Sequence, residues 1–306
     1  MSPTATIGLD VGGTKVAGGL LTDANELLAR TRRPTVVDGR RDPGLRVTRQ
    51  VAEDLAQIAA ERGLDVDGIG AGFPEYVDQA GWLTSCEVLA WTDQPSDLLS
   101  DIAPATADSD VRCAALGEGA VGIAQGLDSY AFVIVGTGLS FALVEGGRPR
   151  PGARGEAIGL GELEVSRSVD PTTMLSLERY ASGEGIRERF VATTGRGALG
   201  ATEVFALADD GDTAAAAIVD SAARAVGTAL ATVGSILDPG AYVLGGGVSS
   251  SGARWRETVE SAYLARASSR PAPPPLLWAT LGSDAGIIGA AIAHRVRAAS
   301  TTEAHG

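Results

Sequence analysis

Two stretches of the chain share one pattern, and this repetition constrains the fold more than any other feature of the sequence. The stretch IGLDVGGTKVAGGLLTD, residues 7–23, predicts a buried strand, a glycine turn and a second buried strand. The stretch YAFVIVGTGLSFALVEGG, residues 130–147, predicts the same parts in the same order. The turns are Gly12-Gly13-Thr14 and Gly136-Thr137-Gly138. The sequence therefore predicts two halves that each begin with a hairpin, with two unrelated hairpins as the alternative.

The first turn has the chemistry of an anion-binding site. Without a Cβ at Gly12 and Gly13, the backbone can adopt positive φ and let an anion approach its N–H groups. Thr14 adds a hydroxyl, and Lys15, the sole lysine of the chain, adds a positive charge. We therefore predict a phosphate-binding turn, with an ordinary hairpin turn as the alternative.

Length and charge limit the classes of function. The 306 residues, 44% of them hydrophobic, suffice for two domains with cores of their own. With 25 basic and 38 acidic residues the net charge is −13, which disfavours nucleic acid and anionic membranes as partners. Neither a signal peptide nor a run of about 18 apolar residues is evident, so we expect a cytoplasmic protein. Cys86 and Cys113, the only cysteines, are expected to be free thiols.

Periodicity and turn residues between the hairpins predict an alternating α/β chain. We expect a first domain over residues 1–110, joined by the C-terminal helix 284–300, and a larger second domain over 111–283. The elements expected within them are helices over residues 42–62, 111–124, 173–181, 184–193, 213–237 and 255–267, and strands over 26–32, 68–74, 104–110 and 276–280. A strand ending near residue 244 leads into a third glycine turn, Gly245-Gly246-Gly247.

With these parts in place, the chain resembles the ROK family of sugar kinases over nearly its whole length. The stretches that carry the resemblance are DVGGTK (10–15), GAGFPEYVD (70–78), SDVRCAALGE (109–118), VGTG (135–138), LGGGVS (244–249) and GSDAGIIGAA (282–291). The resemblance implies an α/β, two-domain actin-like (ribonuclease H-like) ATPase fold, in which a duplicated strand-turn-strand phosphate hairpin flanks an interdomain cleft. It also implies ATP and Mg²⁺ as cofactors, a small-molecule sugar as substrate, and a homodimer.

The resemblance also assigns roles to individual residues. Asp110 matches the family's catalytic base, although a carboxylate that only caps the following helix is the alternative. Asp10 is expected to hold Mg²⁺ through water. The positions that match sugar-binding residues are Pro74, Glu75, Ser109, Glu156 and Glu178. The positions expected to bind the nucleotide are Asp10, Gly12, Gly13, Thr14, Lys15, Gly136, Thr137, Gly138, Gly245, Gly246 and Gly247.

The chain departs from the family pattern where the family binds zinc. Gly159 stands where the family has a histidine, and the Cys-x-Cys-Gly-x-x-Gly-Cys cluster is missing, because no cysteine follows Cys113. We therefore expect no zinc. In its place, we expect the stretch SVDPTTML to be ordered by packing around Pro171, Met174 and Leu175.

Two further departures concern the substrate. Ser109 replaces the family's asparagine before the base, and Glu75 replaces the glycine that lies against the sugar. A carboxylate at this position favours a cationic ligand, so an amino sugar such as kanosamine, or a cyclitol, is expected rather than glucose. The alternative is that Glu75 points to solvent or pairs with Arg112 or Arg154.

These observations favour an ATP-dependent kinase that transfers the γ-phosphate to a hydroxymethyl oxygen of a hexose-like substrate. A glucokinase and a C7-cyclitol kinase are the alternatives within this class. The family's repressors carry a DNA-binding domain before the first hairpin, where this chain has six residues, so a repressor is not expected. A non-catalytic sugar-binding sensor stays open because of Gly159 and Ser109, but retention of Asp110 weighs against it.

Overall fold

The structure is a computed structural model that describes residues 3–267 and 272–303. These residues form two compact units. Within the described ranges, unit 1 comprises residues 3–126, 147–157 and 283–303, and unit 2 comprises 127–146 and 158–267 with 272–282.

The elements alternate along the chain as the sequence predicts. The strands are β1 (Thr4–Val11), β2 (Lys15–Leu21), β3 (Leu27–Pro34), β4 (Val36–Val37), β5 (Arg40–Arg41), β6 (Asp65–Phe73), β7 (Ala105–Ser109), β8 (Ser129–Val135), β9 (Leu139–Glu145), β10 (Arg148–Pro149), β11 (Tyr242–Gly245) and β12 (Leu276–Trp278). The helices are α1 (Arg46–Glu61), α2 (Pro95–Leu99), α3 (Asp110–Val121), α4 (Leu177–Ala181), α5 (Gly183–Thr194), α6 (Ala201–Asp209), α7 (Thr213–Leu237), α8 (Ala253–Ala267) and α9 (Asp284–Glu303). Short 3₁₀ turns lie at Pro43–Leu45 and Leu160–Glu162.

Unit 1 is built on a five-stranded sheet in the order β3-β2-β1-β6-β7. Strands β1, β2 and β3 are antiparallel neighbours, whereas β6 runs parallel to both β1 and β7. The buried strands carry continuous apolar runs, as expected for a sheet covered on both faces. Helix α1 contributes Val51, Leu55 and other apolar side chains to the core on one face.

Unit 2 repeats the same arrangement. Strand β9 pairs antiparallel with β8, β8 pairs parallel with β11, and β11 pairs parallel with β12. Each unit therefore starts with an antiparallel hairpin and continues into parallel strands, so the predicted pair of glycine-turn hairpins is confirmed.

Helix α9 packs directly against the sheet of unit 1 and against α3, because glycines on α9 and on its partners leave room for backbone contact. A Cβ on Gly70 of β6 would lie 1.8 Å from the carbonyl oxygen of Ala290. A Cβ on Gly289 would lie 1.6 Å from the carbonyl oxygen of Cys113 on α3. Helices α3 and α9 are thus held side by side in unit 1.

This packing places the division of the chain later than the sequence suggests. We expected the first domain to end at residue 110, but the first unit continues through α3 to residue 126 and also takes in residues 147–157. The small residues of α3 allow close packing on several sides, but they do not show which elements pack against it.

Helix α7 is the core helix of unit 2. By length and hydropathy it could cross a membrane, which the sequence inspection did not find, but 67% of that stretch is buried inside the protein. Its apolar residues, with the ring of Tyr242 and the T-shaped pair Phe205–Trp255, form one hydrophobic cluster. Its apolar surface is therefore accounted for by the core of unit 2.

Two other differences from the predicted elements have local causes. Helix α4 starts at Leu177 rather than near residue 173, because the Asp170 carboxylate accepts hydrogen bonds from the Thr172 and Thr173 N–H groups and holds this segment in a turn. Helix α6 was not predicted at all. It is short, and its apolar Val204 and Phe205 are adjacent rather than spread over a helical period.

Candidate active site

Two aspartates lie at the carboxyl ends of parallel strands in unit 1. Asp10 is near the end of β1, and Asp110 follows β7 directly as the first residue of α3. Strand β6 separates β1 from β7, and Gly72 on β6 is the register partner of Asp10. A Cβ on Gly72 would lie 3.2 Å from the Cα of Asp110, so glycine keeps this space open. Ligands of open α/β sheets bind at this edge.

The charges of the two aspartates are coupled. Desolvation by burial, followed by the negative charge of Asp10, raises the pKa of Asp110 to about 7. Burial raises the pKa of Asp10 to about 6, and the positive charge of Lys15 opposes this rise. Each side chain keeps partial access to solvent. A carboxylate with a pKa near 7 is suited to accept a proton at physiological pH.

The hydrogen bonds of Asp110 do not fit a purely capping role. Its Oδ1 accepts from the N–H of Val111 at 2.6 Å and lies 3.5 Å from the Ser109 hydroxyl. An N-cap side chain accepts instead from the N–H two or three residues further on. The helix N-cap is Ser109, which makes no such bond. Oδ2 of Asp110 accepts no hydrogen bond from the described residues, so it is available to a ligand.

The first glycine turn is fixed by its own unit. The N–H of Gly12 donates to the carbonyl of Lys15 at 2.9 Å, and the Thr35 hydroxyl donates to the carbonyl of Gly12 at 2.6 Å. Thr14 and Lys15 are exposed, and the charge of Lys15 acts on Asp10. The structure thus brings the turn, Lys15 and the two aspartates together in unit 1.

In unit 2 the structure brings the other two glycine turns together. The N–H of Gly183 donates to the carbonyl of Gly136 at 2.7 Å, and the N–H of Val248 donates to that of Val135 at 3.0 Å. Gly246 has φ of 93°, and a Cβ there would lie 2.3 Å from the carbonyl oxygen of Val135. Only glycine fits this close approach with a positive φ.

Glu178 lies beside the turn that contains Gly138. Its Oε2 accepts from the N–H of Leu139, the residue after the turn, at 2.8 Å. A Cβ on Gly138 would lie 2.8 Å from the same oxygen. Within unit 2, Glu178 is therefore adjacent to a predicted nucleotide-binding turn, a proximity that the sequence did not indicate.

The predicted sugar-binding residues of unit 1 have different environments. Ser109 is buried, whereas Glu156 is exposed and forms an ion pair with Arg154 at 2.7 Å, which holds the pKa of Glu156 below its usual range. Pro74 ends the β6 segment and is half-buried. Next to it, Glu75 is buried, with 3% of its surface exposed.

The expected cationic partners of Glu75 are engaged elsewhere. Arg112 is 2% exposed and binds the Asp108 carboxylate, and it also donates to the carbonyls of Gly155 and Val77. Because Arg154 pairs with Glu156, neither arginine neutralises Glu75. The expectation that Glu75 points to solvent or pairs with one of these arginines is therefore wrong. The sequence does not predict the Arg112 contact, because Asp108 lies on β7 and Arg112 on α3, so the helical i,i+4 rule does not apply to this pair.

The segment that replaces the family's cysteine cluster is held by hydrogen bonds and by Leu175, which packs against the core of unit 2 as expected, whereas Pro171 is exposed. Met174 is 74% exposed, which contradicts its expected packing role. Instead, Asp170 accepts from Thr172 and Thr173, and the Tyr180 hydroxyl donates to it at 3.2 Å. Among the described residues, no three His, Cys, Asp or Glu side chains are grouped so that they could hold a metal ion.

Comparisons with known proteins agree with this arrangement. The ROK family model matches residues 6–296. The chain is 31% identical to the glucokinase of Halalkalibacterium halodurans over 94% of both chains. It matches the ROK hexokinase from Thermus thermophilus with a TM-score of 0.80 and 33% identity, over 94% of this chain and 97% of that one. It matches a ROK family glucokinase from Streptomyces griseus, solved with glucose and AMPPNP, with a TM-score of 0.77 and 26% identity, over 94% and 98%.

The predicted family resemblance and the predicted fold class are thereby confirmed. The glycine-turn hairpins, the parallel strands behind them and the match along the chain all lead to one assignment. The chain belongs to the ROK family and has its actin-like ATPase fold.

Proposed function

We propose that this protein transfers the γ-phosphate of ATP to the hydroxymethyl oxygen of a hexose, with Asp110 as the general base. As a ROK family member matched along its length to sugar kinases, it is an ATP-dependent sugar kinase. The observation that carries the assignment of the base is the position of Asp110 at the end of β7, with a free Oδ2 and a pKa raised to about 7.

In the proposed mechanism, Oδ2 of Asp110 accepts the proton of the sugar hydroxyl as its oxygen attacks the γ-phosphorus. The N–H groups of Gly13 and Thr14 and the ammonium of Lys15 bind phosphate oxygens and stabilise the charge that develops on them, while the N–H of Gly12 closes the turn on the carbonyl of Lys15. The turns of unit 2, Gly136–Gly138 and Gly245–Gly247, are assigned to nucleotide binding as well. Positioning and electrostatic stabilisation supply most of the rate enhancement.

Mg²⁺ fits the acidic end of this site. The negative charge of Asp10 raises the pKa of Asp110, and a divalent cation beside these two carboxylates would offset that repulsion. A Cβ on Gly286 of α9 would lie 2.8 Å from the Cγ of Asp10, so glycine leaves room for that carboxylate. We propose that Asp10 holds the ion through water, where the ion neutralises phosphate charge.

For the acceptor we propose a neutral hexose, and we propose that Pro74, Ser109, Glu156 and Glu178 contribute to its binding. The expectation of an amino sugar such as kanosamine depends on Glu75 as the partner of an ammonium group. That carboxylate already accepts four hydrogen bonds from unit 1, which removes the reason for preferring a cationic substrate. An amino sugar and a C7-cyclitol remain the alternatives that a substrate panel must include.

The test is ADP release with glucose, mannose, N-acetylglucosamine, kanosamine and a C7-cyclitol, each measured with wild type and with Asp110→Asn. We expect turnover that depends on Mg²⁺ and on Asp110, and a higher kcat/KM for a neutral hexose. If the protein binds a sugar measurably but releases no ADP with any of these compounds, it is a non-catalytic sensor instead. A higher kcat/KM for kanosamine than for any neutral hexose would restore the amino-sugar assignment.

We further propose that the enzyme is a cytoplasmic homodimer. This part of the proposal depends on the family resemblance alone. Light scattering on the purified protein measures its mass directly, and a mass near that of one 31.0 kDa chain would contradict the dimer.

A further inference from the structure

The Glu75 carboxylate is a buried anion without a cationic partner among the described residues. It is satisfied instead by four donors from one segment of unit 1. The Ser85 hydroxyl donates to Oε2 at 2.5 Å, and the N–H of Glu87 donates to the same oxygen at 3.0 Å. The N–H groups of Val88 and Leu89 donate to Oε1 at 2.9 and 2.8 Å. The carboxylate therefore fixes the backbone of residues 85–89, which we name the Glu75-bound segment.

Further hydrogen bonds make this segment rigid. The Ser85 hydroxyl accepts from the N–H of Tyr76 at 2.9 Å while it donates to Glu75. The indole N–H of Trp91 donates to the carbonyl of Ser85 at 2.7 Å. Leu89 is buried in the core of unit 1. Both ends of the Glu75-bound segment are thus held by further contacts, and the Glu75 carboxylate binds the residues between them.

The Glu75-bound segment contacts the first glycine turn directly. A Cβ on Gly13 would lie 3.1 Å from a methyl carbon of Val88, so Val88 forms a wall against the turn. The turn is otherwise held through Thr35, which bonds to Gly12 and Thr14. A shift of Val88 would therefore change the environment of the backbone N–H groups that we assign to phosphate binding.

The residue after the segment positions an arginine over the same turn. The N–H of Ala90 donates to the carbonyl of Arg41 at 2.9 Å, and the carbonyl of Ala90 accepts from the N–H of Gly44 at 2.9 Å. The Nε of Arg41 lies 3.9 Å from the Cβ position of Gly13. Arg41 is exposed and has no ion-pair partner among the described residues. An unpaired guanidinium beside a glycine turn is suited to bind phosphate oxygens.

We propose that Glu75 is a positioning residue for the phosphoryl donor rather than a ligand of the sugar: it fixes the Glu75-bound segment, which in turn holds Val88 and Arg41 at the Gly12–Thr14 turn. Arg41 binds the phosphate chain of the nucleotide in this arrangement. The inference rests on the proposed binding of ATP at this turn. It assigns Glu75, which stands where the family has glycine, to donor affinity and not to acceptor specificity.

Equilibrium binding of the non-hydrolysable analogue AMPPNP with Mg²⁺, without sugar, tests the inference directly. Glu75→Gln keeps the shape of the side chain but turns an acceptor oxygen into an NH₂ group, which leaves buried donors unsatisfied. We expect the Kd for AMPPNP to rise roughly tenfold, because about one buried donor loses its hydrogen-bond partner. The Kd of AMP, which lacks the β- and γ-phosphates, and the KM of the sugar should change less than about twofold, since the phosphate turn is what moves.

The control is Asp78→Ala, because Asp78→Asn would keep the Oδ1 that accepts both of its backbone bonds. Asp78 also accepts two backbone N–H groups in the loop after β6, from Ala80 and Trp82, both at 2.9 Å, but its bonds do not lead to Gly13. We expect this variant to bind AMPPNP like wild type. If Asp78→Ala weakens AMPPNP binding as much as Glu75→Gln does, the effect is general loosening of the loop and the inference is overturned.

A milder variant covers the case in which Glu75→Gln does not fold. Ser85→Ala removes one donor and keeps the carboxylate, and we expect it to weaken AMPPNP in the same direction. Arg41→Gln should weaken AMPPNP too, and Ser85→Ala should add little in its presence, because both act on the same contact. Additive effects, or a larger change in sugar KM than in AMPPNP Kd, would overturn the inference.

The outcome for wild type separates this inference from the proposed function. Wild type that binds no AMPPNP and releases no ADP contradicts the kinase assignment itself. If wild type binds AMPPNP and the variants at Glu75, Ser85 and Arg41 bind it equally well, only the positioning role is contradicted.

Discussion

Replacing the proposed base with its neutral isostere should affect activity and stability in opposite directions. Asp110→Asn removes the proton acceptor, and general-base assistance is typically worth about 10²–10⁴ in rate. We therefore expect kcat to fall by a factor on the order of 10² or more. The amide oxygen can still accept from the N–H of Val111, so AMPPNP should bind nearly as before.

The effect on stability follows from the raised pKa. In the folded protein the pKa of Asp110 is about 7, against a usual value of 3.8. A shift of this size corresponds to about 4 kcal/mol of unfavourable free energy when the folded protein holds the ionised form. Because the raised pKa favours the neutral acid in the folded state, this free energy is lost as the pH rises from about 4 to about 7. Partial solvent access lowers the figure, and we expect about 1–3 kcal/mol.

The assay is urea unfolding of wild type and Asp110→Asn between pH 5 and pH 8. The variant should gain stability over wild type as the pH rises, and the difference should level off above about pH 7. In parallel, kcat/KM of wild type should decrease below pH 7 as the base becomes protonated. A variant that is less stable than wild type at pH 8, or one with near-normal turnover, would refute the reasoning and remove Asp110 from this role.

Three further predictions concern packing, metal and substrate. Gly70→Ala should lower the free energy of urea unfolding by about 3 kcal/mol, because its Cβ would collide with the backbone of α9. The control is Gly197→Ala, where a Cβ meets no atom within 4 Å, and it should lower that free energy by less than about 1 kcal/mol. Metal analysis should find no stoichiometric zinc, while EDTA should abolish turnover and added Mg²⁺ should restore it. Glu156→Gln should raise the sugar KM roughly tenfold without changing AMPPNP affinity, as expected for loss of a charged hydrogen-bond acceptor; an unchanged sugar KM would exclude Glu156 from the sugar site.

The sequence predicts much of the fold because its strongest signals are local. Continuous apolar strands around Gly12–Thr14 and Gly136–Gly138 are enough to define both hairpins, and the Asp-Pro-Gly stop after residue 237 ends α7 where expected. The division between the units was misplaced because it depends on which helix covers α3. Only the backbone contact of α3 with α9, far away in the sequence, determines this.

The sequence predicts the role of a site residue where that role depends on the residue type, and it does not where the role depends on which way the side chain points. Asp110 lies at a strand end, as its position before a helix indicates. Glu75 was assigned to the substrate because an acid replacing a glycine suggests a ligand for a cation. Its actual donors are the Ser85 hydroxyl and the backbone N–H groups of residues 87–89, and no side-chain pattern reveals the backbone donors.

The position of α9 has a consequence for synthesis on the ribosome. Strands β1 to β7 of unit 1 are made before unit 2, but their sheet is covered by a helix that begins at Asp284. Unit 2 is encoded almost entirely between these two parts, so its residues are all available before α9 has been translated. The nascent sheet of unit 1 must therefore wait, with the face that receives α9 uncovered, until α9 itself has been translated. The unit that carries the proposed base is begun first and finished last.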